Sequence, residues 1–90
     1  MTKVFKYPFN PADYFTLIMP QGAEILHVDV QQHQPCIWAK VDIDAPIVVR
    51  KFRMAGTGHE LDEDVAEHIG TFFMSDGWLV FHLFEVEEPA

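Results

Sequence analysis

Glu24-Ile25-Leu26-His27-Val28-Asp29-Val30 decides the fold, because Leu26, Val28 and Val30 alternate with Ile25, His27 and Asp29. A period of two puts successive side chains on opposite faces of an extended chain. The segment therefore reads as a half-buried strand with one wet face. Polar Gln31 to Pro35 follows as a hairpin loop. Cys36 to Asp42 then returns as a second strand, with Ile37, Ala39 and Val41 on one face and Trp38 and Lys40 on the other.

The same rhythm extends outward in both directions. Val4 to Tyr7 is a short strand stopped by Pro8-Phe9-Asn10-Pro11, where proline removes ladder donors. Phe15 to Met19 is another, closed by the turn Pro20-Gln21-Gly22. Ile47 to Ala55 carries Arg50, Lys51 and Arg53. Ile69 to Met74 and Trp78 to Val86 flank the tight turn Ser75-Asp76-Gly77. In the last segment Leu79, Phe81 and Leu83 share one face, and Trp78, Val80, His82 and Phe84 the other. With both faces apolar, it is expected to be a central strand covered on both sides, or on one side by another subunit. Asp62 to Glu67 reads as a single helical turn with Asp62 as its N-cap. The expectation is one β-rich domain over residues 1–90. Its form is a compact sandwich or small barrel of six to seven short antiparallel strands with one short helical turn. The hairpins joining the third and fourth strands, and the sixth and seventh, are the pairings read most directly.

Composition narrows the function. Apolar residues make up 49% of the chain, with eight Phe among them, which excludes intrinsic disorder. So short a chain cannot easily hide that much apolar surface, which points to a homo-oligomer. The net charge of −8 argues against nucleic acid and anionic membranes as partners, since both call for clustered Lys and Arg. The acids gather at Asp62, Glu63, Asp64 and Glu67, and again at Glu85, Glu87 and Glu88. One cysteine, Cys36, excludes an internal disulfide. The first residues lack a signal-peptide core, and no apolar run reaches transmembrane length. A cytoplasmic protein of a bacterial host cell is expected.

A series of short blocks runs through the chain: Met19-Pro20, Gly22-Ala23, Ile25-Leu26, Trp38-Ala39, Val41-Asp42, Gly56-Thr57-Gly58-His59, Ile69-Gly70-Thr71, Val80-Phe81-His82 and Phe84-Glu85. In order and spacing it resembles a family of short proteins of unknown function found in bacteriophages, prophages and bacterial genomes. The likeness covers about Phe5 to Glu85. It implies a setting in which small proteins often act on host machinery or host defence, and it carries no mechanism.

Gly56-Thr57-Gly58-His59 is the candidate ligand-binding loop. Two glycines allow successive N–H groups to converge on an anion. Thr57 adds a hydroxyl, His59 a donor that can become cationic, and Arg50 and Arg53 just upstream add positive charge. The competing reading is a plain turn. The acids from Glu60 to Asp64 weigh against phosphate, and the loop has neither a Walker nor a Rossmann ending.

His27, His33, His59, His68 and His82 have no zincin spacing, so no metal and no cofactor are expected. Asp29, two residues after His27, is an imperfect chelation hint. No catalytic residue is expected either, because Cys36 has no nearby base and Ser75 sits in a turn without an elbow motif. His82 within an apolar strand should be a satisfied histidine bonded to a carbonyl or carboxylate. Trp38 and Trp78 read as core residues or, alternatively, as interface anchors.

The best reading is a non-enzymatic binding protein that either sequesters a small anionic ligand in a Gly56–His59 pocket, completed by Arg50 or Arg53 of a second subunit, or blocks a host protein through an apolar patch or sheet edge near Trp38. One alternative is an interaction module of bacterial metabolism with a structural role only. Another is a small enzyme in which His59 or His82 meets a carboxylate.

Overall fold

A computed structural model describes residues 1–62 and 64–87; Glu63 and Glu88, counted above in the two acidic clusters, lie outside it. Among the described residues seven strands form: β1 Thr2–Pro8, β2 Tyr14–Pro20, β3 Glu24–Gln31, β4 Gln34–Asp42, β5 Ile47–Gly56, β6 Val65–Met74 and β7 Leu79–Val86. They make two antiparallel sheets, β1-β4-β3 and β2-β5-β7-β6. Neither sheet closes on itself, so the architecture is the sandwich and not the barrel. No helical turn occurs among the described residues. Of the stretch read as one, Glu63 lies outside the described residues, the Val65 N–H donates to the Asp62 carbonyl at 3.2 Å, and Val65 to Glu67 belong to β6.

The core lies between the sheets. Ile37, Ala39 and Val41 of β4 pack with Met19, Phe52, Met54, Phe72, Leu83 and Val28, and Phe9 enters from the β1–β2 connection. Aromatic rings fill its centre: Phe9 stacks on Phe15 at 4.4 Å between centroids and meets Phe72 edge-on at 6.1 Å. The two sheets approach each other along β3 and β6.

Three local departures have physical causes. A bulge between Ile25 and His27 shifts the phase of β3, so Ile25 turns toward the core while Leu26 is 49% exposed. The β3–β4 loop shrinks to Gln32-His33, both with positive φ, the two-residue connection that suits strand twist. Pro35 then sits within β4, at a level where β1 has already ended at the Pro8–Cys36 pair, so its missing N–H leaves no ladder bond unmade on that side.

β7 is central, between β5 and β6, as its apolar faces suggested. Trp78 belongs to the preceding turn and not to the strand. That turn is held by Gly77 N–H to Met74 carbonyl at 3.2 Å and Trp78 N–H to Ser75 carbonyl at 3.1 Å. Trp38 stands on β4, the middle strand of its sheet, so no sheet edge lies at Trp38.

Candidate functional site

β5 and β6 both run antiparallel to β7 and are therefore parallel to each other, so the chain must return the length of the sheet between them. Residues 57–62 take that return across the outer face. Phe52 and Met54 point into the core, so Arg53 and Ala55 point outward, yet both are buried. The crossover covers them. Among the described residues, side chains fasten it at three places: Thr57 Oγ1 to His82 Nε2 at 2.8 Å, Arg53 Nη2 to the Glu60 carbonyl at 3.1 Å, and the Tyr14 hydroxyl to the Asp62 carboxylate. Accepting that last bond, Asp62 raises the Tyr14 phenol above its ordinary pKa.

The glycine loop is the corner where this crossover leaves β5. The His59 N–H donates to the Gly56 carbonyl at 3.1 Å, and Gly58 takes φ +90° inside the turn. One of the N–H groups that an anion nest would need is thus used internally. The His59 ring folds back over Gly56 so closely that a Cβ there would lie 3.0 Å from its Cε1.

The two arginines are not free to complete an anion site. Arg50 forks onto Glu85, with both nitrogen–oxygen distances 2.7 Å, and also reaches the Ala23 carbonyl. The Glu85 hydrogen bonds hold its guanidinium pKa above the ordinary value. The depression beside Arg50, of about 330 Å³, also carries Glu24, Glu67 and Glu85, which would repel an anion. Arg53 is 9% exposed, lies over the Tyr14 ring at 5.1 Å and has Asp13 at 3.8 Å. Its buried Nε has no hydrogen-bond partner among the described residues.

What the loop does meet is Trp78. Gly56, Thr57 and His59 line a groove of about 460 Å³ with Trp78, Leu79, Val80 and Phe81. Trp78 is 88% exposed and Leu79 48%. Core packing of Trp78 is thereby overturned. Trp38 is half-buried on the opposite sheet, 6.2 Å from His27 between ring centroids. Gly58 stays outside the groove lining, and neither Arg50 nor Arg53 borders it.

His82 is satisfied, though not as expected: its Nδ1 meets Thr71 Oγ1 at 3.0 Å and its Nε2 meets Thr57. It engages two hydroxyls rather than a carbonyl or carboxylate. The His68 Nε2 extends the chain to Thr71 at 3.5 Å. His27 and Asp29 approach to 3.5 Å on an exposed face, and no group of three His, Cys, Asp or Glu side chains gathers among the described residues. Cys36 is buried.

Sequence reasoning missed Thr71, Leu79 and Phe81. Counting back through the tight β6–β7 turn would have placed Thr71 opposite His82, and that register signal was in the sequence.

The chain belongs to the family described as "Domain of unknown function (DUF7352)", which it matches over residues 1–90. No curated protein and no solved structure matches it. No helix among the described residues is long and apolar enough to cross a membrane.

Proposed function

We infer, taking membership of this family as the premise, that the chain is a non-enzymatic protein-binding module that engages its partner through Trp78 and the groove beside it. The observation that carries this reading is the exposed indole on the rim of an apolar groove. Aromatic anchors set beside pockets dominate protein–protein binding energy. Ser75 and Asp76, both with φ near the left-handed region, and Gly77 fix the turn that presents the indole. The anionic-ligand version of the binding reading has less support, because Arg50 and Arg53 are both committed to internal partners. A catalytic role has little support, because both ring nitrogens of His82 are occupied by threonine hydroxyls. The resemblance to phage and prophage proteins favours a host protein as the partner, with host takeover or counter-defence as the role, in the cytoplasm.

The test is affinity capture from a lysate of the source cell, using wild type and Trp78→Ser side by side. A discrete protein retained by wild type should bind the variant about thirtyfold less tightly, the loss of one aromatic anchor of about 2 kcal/mol. Equal retention by both proteins rejects the groove. Calorimetric binding of inorganic phosphate or ATP, lost in His59→Ala, restores the anion reading instead.

A further inference from the structure

Among the described residues four strands form sheet edges, and three of them carry features that block pairing with another chain. β1 has Lys3 and Lys6; β3 has a bulge with Glu24 and Asp29; β6 has two register shifts and Glu67. β2 differs. Tyr14-Phe15-Thr16-Leu17-Ile18-Met19-Pro20 contains no charge, and its register with β5 runs unbroken from Tyr14–Arg53 to Pro20–Ile47. β2 is paired on one side, by β5. Beside its edge the outer face is apolar: Ile18 and its cross-strand partner Val49 are each 61% exposed, and Ile47 is 70% exposed.

We propose that β2 is the self-association edge of this protein, pairing antiparallel with β2 of a second copy to join two four-stranded sheets into one of eight strands. This inference stands independently of the Trp78 groove. Charge placement selects the occupant and the direction. In a chain of net charge −8, self-pairing requires a segment where like charges do not meet, and β2 is that segment. Two acids, Asp13 and Asp62, sit at its Tyr14 end. Antiparallel pairing sends the two copies' acids to opposite ends of the interface. A seven-residue strand separates them by about 20 Å, beyond the screening length of about 8–10 Å. Parallel pairing would stack them. A two-fold antiparallel contact is also self-complementary: each copy offers the same uncharged strand, and Ile18 becomes a cross-strand neighbour of the other copy's β2.

Sedimentation and native mass spectrometry over a concentration series test the proposal, with hydrogen exchange at both ends of the series. Wild type should pass from the 10.4 kDa chain to a species of twice that mass, and β2 amides should gain protection as it does. Ile18→Lys places two charges in each dimer and should weaken association by about a hundredfold, at about tenfold for each. Thr16→Lys, at an exposed position of the same strand, serves as the second variant should the first not fold. Trp78→Ser should dimerise like wild type. The proposal is overturned by a wild type that stays monomeric at every concentration. It is equally overturned by folded lysine variants that associate like wild type, or by concentration-dependent protection at residues 73–79 instead of β2.

Discussion

Thr57 Oγ1 stands 2.8 Å from His82 Nε2, which ties the first residue of the β5–β6 crossover to the strand it passes over. The threonine inside the glycine motif therefore has a structural partner, and its hydroxyl faces the sheet. Thr57→Val should cost about 1 kcal/mol, the net worth of one hydrogen bond, and lower the melting temperature by about 4–8 °C. A double-mutant cycle with His82→Ala should give a coupling energy of about 0.5–1.5 kcal/mol. Strict additivity would mean that the two side chains do not depend on each other.

Tyr14 and Asp62 form the far fastening of the same crossover. The hydrogen bond to Asp62 raises the Tyr14 phenol pKa above the ordinary value of 10.0, because the carboxylate accepts from the neutral form and opposes a second negative charge. A folded-state pKa above the unfolded one favours folding while the proton is bound. This contribution is complete below pH 10 and is lost as pH rises through the raised folded value. A Tyr7→Phe background leaves Tyr14 as the sole phenol, since burial raises Tyr7 as well. In that background, phenolate absorption should titrate above 10, and Asp62→Ala should bring the midpoint down. An unchanged midpoint would remove the Asp62 bond as its cause.

Much of the fold was legible because alternation is a direct imprint of a two-sided layer. Val28 and Val30, and Ile37, Ala39 and Val41, all turn toward the interior as their spacing requires. The Leu26 bulge was not legible: one extra residue inverts the phase, and no composition cue marks it. The site was legible only in part. Gly56, Thr57 and His59 do line a groove, but the arginines read as their partners are taken by Glu85 and Glu60. Sequence proximity placed Arg50 and Arg53 near the loop; strand alternation sends them to opposite faces. Trp78 meets the loop because β5 and β7 pair, with Gly56 opposite Phe81, and that long-range register has no local signature.

Two neighbours on β7 should separate core from groove by stability. Leu83 is fully buried, whereas Phe81 is half-buried and also lines the groove. Leu83→Ala should cost about 2–5 kcal/mol, a large part of the total stability of about 5–15 kcal/mol typical of a folded domain. Phe81→Ala should cost less despite removing a larger side chain. Urea denaturation of both variants gives the order. A larger loss for Phe81→Ala would mean that the groove is closed in solution.

Gly70 on β6 and Val28 on β3 meet where the two sheets pack together. A Cβ added at Gly70 would lie 2.8 Å from Val28 Cγ1, a separation that real side chains do not tolerate, so one of the two must move. Val28 is only 3% exposed and belongs to the core, so it has little room to yield. Gly70→Ala should therefore destabilise by about 1–3 kcal/mol through overpacking. Val28→Ala leaves a cavity and should be destabilising alone, yet it removes the atom that the new methyl would strike. The double variant should therefore be more stable than the sum of the single losses by more than about 0.5 kcal/mol, the limit within which independent sites add. Chemical denaturation of the four proteins measures this. Additive losses would mean that β3 and β6 part freely, and that the close approach does not hold the sandwich shut along that side.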